Sequence, residues 1–95
     1  MQVAIRKYSG EGTKDLFDAL GKRAAELQPL MRSVRGLVSY SLARSEDGGF
    51  SVTICQDQAG IDESAQKAKD WIATNVGTTG AAAPEISVGD VLVHF

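Results

Sequence analysis

The chain is poor in the residues that usually announce chemistry: its 95 residues include one cysteine, one histidine and one tryptophan. Cys55, being alone, excludes an intrachain disulfide and a cysteine-based metal cluster. No stretch approaches the ~20 apolar residues of a membrane-spanning helix. Residues 1–10 alternate apolar and polar side chains, whereas a secretory leader places a charged region before an apolar run. A cytoplasmic location is the expectation. A block of like charge is missing too. Ten Lys and Arg stand against twelve Asp and Glu, a net charge of -2 with the signs interleaved. No basic stripe can then follow a phosphate backbone, and neither nucleic acid nor a membrane is an expected partner. Gly10-Glu11-Gly12 lacks the third glycine and the Lys-Ser or Lys-Thr of a phosphate loop. Asp57, Asp62 and Glu63 bracket a helix start, where acidic groups complement the helix dipole. No metal and no cofactor is expected.

A hydrophobic content of 43% with 23% charged residues is that of a globular protein with a packed core. The length is that of one domain, taken as residues 1–95. Residues 2–8 alternate as a half-buried strand, and Ser9 to Gly12 breaks it. Thr13 is the expected N-cap of a helix whose apolar face is Phe17, Leu20, Ala24, Leu27 and Met31, with a kink or end near Gln28 ahead of Pro29. Residues 37–44 and 50–56 alternate again around Ser45-Glu46-Asp47-Gly48-Gly49 and read as a β-hairpin. Ile61, Ala65, Ala68, Ile72 and Val76 mark a second amphipathic helix. A flexible connection over 77–84 and a closing strand over 85–95, bulged at Gly89-Asp90, complete the chain.

This order, β-α-β-β-α-β, is an α+β ferredoxin-like arrangement: a four-stranded antiparallel sheet with the helices on one face. The more apolar side of each strand is expected beneath the helices: Val3, Ile5, Val38, Tyr40, Leu42, Phe50, Val52, Ile54, Val91, Val93 and Phe95. The shared core is expected to hold Phe17, Leu20, Leu27, Ile54 and Ile72. Arg6, Tyr8, Ser39, Ser41, Thr53, Cys55, Leu92 and His94 fall to the uncovered face. A domain of this size has no third layer of its own, so a second copy is expected to cover that face.

Val3-Ala4-Ile5-Arg6, Gly36-Leu37-Val38-Ser39-Tyr40 and Gly89-Asp90-Val91-Leu92-Val93 open and close strands in a pattern that resembles the dimeric α+β barrels, which include the antibiotic biosynthesis monooxygenase group. The resemblance covers nearly the whole chain and implies a homodimer. It also implies a site between helices and sheet or within the barrel, and oxygen chemistry without a metal or flavin held by the protein. Haem-degrading members carry an Asn, a Trp and a His. Here the Trp position falls around Gln56 or Asp57, and His94 is the only histidine, so that set is not reproduced.

Four residues are ligand-binding candidates, and no catalytic residue is assigned. Arg6 and Tyr8 offer a guanidinium and a phenol to a carboxylate, phenolate or quinone oxygen. Cys55 is a nucleophile only if a neighbouring cation lowers its pKa; otherwise it is a small buried hydrophobe. His94 is a general base or an interface histidine. Two functional readings follow: a dimeric domain that binds a small organic ligand without chemistry, or a cofactor-independent monooxygenase or isomerase acting on an aromatic or polyketide-like compound.

Overall fold

The computed structural model describes residues 1–77 and 79–95. Along the chain run β1 (Gln2–Ser9), α1 (Thr13–Lys22), α2 (Ala24–Arg32), β2 (Leu37–Ser45), β3 (Gly48–Cys55), α3 (Gln58–Asn75) and β4 (Glu85–Asp90). The strands form one antiparallel sheet in the order β2-β3-β1-β4, and the helices lie against one of its faces. This is the ferredoxin-like arrangement, with the first helix divided in two.

The division falls at Arg23, not near Gln28. Pro29 sits inside α2, while Arg23 leaves the helical region at φ -113°, ψ 22°. The Arg23 side chain holds the break in place. It donates to both carboxylate oxygens of Glu26 (2.6 and 2.7 Å) and to the Asn75 carbonyl (2.9 Å), and its guanidinium lies 5.2 Å from the centre of the Trp71 ring. One residue thus ties the α1–α2 break to the end of α3. Thr13 is the first helical residue rather than the cap, because Gly12 occupies the cap at φ 84°. The Thr13 hydroxyl instead donates to the Gly10 carbonyl at 2.6 Å. Asp57 caps α3, accepting from the Gly60 amide at 3.0 Å, as expected of an acidic side chain at a helix start.

The hairpin is tighter than the sequence suggests: Ser45 pairs with Gly48, leaving Glu46-Asp47 as the turn. The last strand is shorter. β4 pairs with β1 in continuous register from Lys7↔Glu85 to Gln2↔Asp90, without a bulge. Beyond it Leu92, Val93, His94 and Phe95 form an exposed tail, so Val93 and Phe95 are not core residues. The connection expected over 77–84 includes Thr78, which lies outside the described residues; within the rest, Ala81 packs toward the core.

The helices cover the sheet face opposite to the one expected along β1 and β3. Along β3 the buried positions are Gly49, Ser51, Thr53 and Cys55, whereas Phe50, Val52 and Ile54 point the other way. On β1, Ala4 is wholly buried and Ile5 is exposed. Partners across an antiparallel ladder share a face, which places Ala4, Arg6, Tyr8, Tyr40, Leu42, Ser51, Thr53 and Cys55 beneath the helices. Val3, Ile5, Phe50, Val52 and Ile54 lie on the uncovered face. Tyr40 and Leu42 are under the helices as expected, because the register shift between Leu37 and Ser39 returns β2 to that phase. The reason is steric. Small inner-face residues let helix side chains approach the sheet: a Cβ on Gly49 would lie 2.2 Å from the Phe17 ring, and one on Gly60 of α3 would lie 2.9 Å from Cys55 Cβ.

The core consists of two clusters. One gathers Ala4, Met31, Val34, Cys55 and Ile61; the other gathers Leu16, Phe17, Leu20 and Leu27, with Ile72 partly buried against it. Phe17, Leu20 and Leu27 are where the sequence puts them, and Ile54 is not.

Candidate functional site

The helix side of the sheet, not its uncovered side, carries the candidate site. Between α2 and β2 opens a cleft of about 700 Å³ whose apolar walls are Leu27, Met31, Leu37, Tyr40 and Leu42. Exposed Gln28 and Arg32 stand at its rim, with Ser39 beside them. Its walls come from both core clusters, since Met31 belongs to the first and Leu27 to the second. The cleft therefore opens where the two clusters meet. Its position follows from local sequence: α2 starts afresh at Arg23, which directs Leu27 and Met31, spaced one helical turn apart, onto β2.

Inward from the cleft the sheet becomes polar. Leu42 pairs with Ser51, and Ser51 with Arg6; Tyr40 pairs with Thr53, and Thr53 with Ala4. Arg6, Ser51 and Thr53 thus form a polar row beneath the helices. Burial raises Tyr40 above the usual tyrosine value, with Tyr8 adding to the rise while Arg6 and the Ser51 hydroxyl oppose it. Tyr8 is raised for the same reason, again opposed by Arg6, and its ring meets Phe17 edge to face at 5.7 Å. Both phenols are therefore neutral hydrogen-bonding groups at physiological pH.

The four sequence candidates separate. Arg6 and Tyr8 lie on the inner face of β1, opposite to the expected side. Cys55 is on that face too but is wholly buried beneath Gly60 and Ile61. Burial, with Asp57 and Glu63 adding to it, pushes its thiol pKa up, away from nucleophilic behaviour. His94 is in the exposed tail beyond β4, not on a sheet face with the other three. The sequence reading did not single out Leu27, Met31 and Tyr40 as site residues. Their helical and strand periodicity marks them equally well as core, and only the break at Arg23 turns them into cleft walls.

A second hollow of about 440 Å³ lies beside the β2–β3 turn, lined by Thr13, Lys14, Arg44 and Asp47. Its cations are taken up by Asp18, which Lys14 meets at 2.9 Å and Arg44 at 3.0 Å. Among the described residues no group of three His, Cys, Asp or Glu side chains is placed to hold a metal ion.

The fold, a four-stranded antiparallel sheet with the helices on one face, is ferredoxin-like. No protein-family model and no curated protein matches the chain. Solved structures do. A variant of MhuD with two manganese protoporphyrin IX molecules bound per active site aligns over 100% of this chain and 98% of its own, at TM-score 0.73 and 18% identity. A dimeric ferredoxin-like protein from an uncultured marine organism aligns over 99% and 94%, at TM-score 0.63 and 10% identity. The ActVA-Orf6 monooxygenase of Streptomyces coelicolor, in complex with nanaomycin D, aligns over 98% and 92%, at TM-score 0.59 and 18% identity. At these identities the likeness is one of fold.

Proposed function

We propose that the protein is a homodimeric, cytoplasmic binding domain that takes up a small aromatic molecule between α2 and β2 without transforming it. The observation that carries this reading is the cleft. Its volume of about 700 Å³ lies within the ~300–1,000 Å³ of small-molecule sites, and its walls combine apolar side chains with the polar Gln28, Arg32 and Ser39. Arg6 and Tyr8 serve as polar contacts inward of the cleft. The neighbours named with manganese protoporphyrin IX and nanaomycin D suggest a flat, conjugated ligand.

The competing reading, a cofactor-independent monooxygenase or isomerase on an aromatic substrate, is favoured by the neighbour named as a monooxygenase. It asks for a group that moves a proton near neutrality. Tyr8 and Tyr40 are shifted away from that range, Cys55 is sealed, and His94 stands in the tail. Binding is therefore the better-supported activity.

The homodimer reading is supported by the uncovered sheet face, where Val3, Ile5, Phe50, Val52 and Ile54 present an apolar strip that has no layer of the same chain above it. An apolar strip of this kind marks an interaction surface.

Calorimetric titration with nanaomycin D and with manganese protoporphyrin IX tests the binding function. Saturable uptake of at least one of them, lost when Leu27→Trp fills the cleft, is the expected result. Failure of both to bind, or unchanged binding in Leu27→Trp, would overturn it.

A further inference from the structure

We infer that the polar row Arg6, Ser51 and Thr53 is a carboxylate site, so that the molecule held in the cleft is an aromatic acid whose ring rests on Tyr40 and Leu42 and whose acid group points inward along the sheet; this rests on the reading of the cleft as a ligand site.

Three observations meet here. The core is split into two apolar clusters, and the inner sheet face between them carries Arg6, Ser51 and Thr53 in place of apolar side chains. Polar groups in such a position are normally paired within the protein. The Thr53 hydroxyl is wholly buried and finds no hydrogen-bond partner among the described residues. Half-buried Arg6 has no carboxylate within ion-pairing distance among them either, although Arg23, Arg44, Lys14 and Lys67 each have one. What sets Arg6 apart is its place: its side of β1 is the inner sheet face, next to the buried Ser51 with which it pairs across the ladder.

The positive charge of Arg6 opposes the rise that burial causes in the pKa of Tyr8, Tyr40 and Cys55.

Register connects the row to the cleft. Ser51 and Thr53 stand one strand inward from Leu42 and Tyr40, and Arg6 two strands inward from Leu42. At ~4.8 Å per strand these are steps of about 5 and 10 Å. A planar two-oxygen acid fits better than a single phenolate oxygen, because a guanidinium fork and a neighbouring hydroxyl together present separate donors to two oxygens. Bound there, the acid would satisfy both the cation and the orphaned hydroxyl.

The test is a matched pair of probes, 2-naphthoic acid and 2-naphthylmethanol, titrated calorimetrically at neutral pH. The acid is expected to bind about tenfold or more tighter than the alcohol, the scale of a charge-assisted hydrogen bond. Within the Arg6→Gln variant the acid should no longer bind tighter than the alcohol. Thr53→Val should weaken acid binding several-fold without lowering the melting temperature, since it deletes an unpaired hydroxyl at constant shape. Equal affinity for the two probes, or a preference that survives both substitutions, would overturn the carboxylate site and leave the cleft standing. Failure of both probes to bind would overturn the cleft, and the carboxylate site with it.

Discussion

Phe17 of α1 occupies the space that a side chain at Gly49 would take: a Cβ there would sit 2.2 Å from Phe17 Cε2. Phe17 is itself buried against Leu16, Leu20 and Leu27 and cannot swing aside cheaply. Gly49→Ala should therefore destabilise the protein by about 1–3 kcal/mol, the usual cost of overpacking a core. Urea denaturation measures it. A change below about 0.5 kcal/mol, the scale of a surface substitution, would mean that α1 does not lie on β3 as described.

The same contact explains what the sequence could and could not reveal. Alternation in 37–44 and 50–56 showed two strands and a hairpin, and helical spacing found Phe17, Leu20 and Leu27, because period is a local property. Which strand face the helices cover is not local. The more apolar face, with Val52 and Ile54, was the natural choice, yet the helices sit on the side of Gly49, Ser51, Thr53 and Cys55, where small residues admit large ones. A one-residue phase choice moves every side chain to the other face, so it displaced Arg6, Tyr8 and Cys55 together. The helix break was hidden for a related reason. Pro29 is the louder local signal, but the contacts of Arg23 with Asn75 and Trp71 bridge residues far apart in sequence.

The uncovered face yields its own expectation. Val52→Asp adds a charge to the centre of the apolar strip while leaving the helix side of β3 untouched. Sedimentation equilibrium should show a dimer for the native protein and a folded species near 10.1 kDa for the variant. A native species at that mass across the micromolar range would refute the homodimer.

Alkaline pH should weaken the fold through Tyr8 and Tyr40. Burial raises both above the ordinary value of 10.0. The folded state then keeps its phenolic protons where the unfolded chain has released them. Their contribution is fully present below about pH 10 and is lost as pH climbs through the higher folded-state values. Denaturation midpoints against pH, with Tyr40→Phe as comparison, measure this. The native protein should lose stability more steeply than Tyr40→Phe, and parallel curves would contradict the burial of Tyr40.

The measurement that bears most directly on the central claim is a map of backbone amide shifts on adding 2-naphthoic acid to the ¹⁵N-labelled protein. A ligand between helix layer and sheet should move the amides of Leu27, Met31, Tyr40 and Leu42, the walls of the cleft. Shifts confined to Ile5, Val52 and Ile54 would place the ligand on the uncovered face and contradict the account.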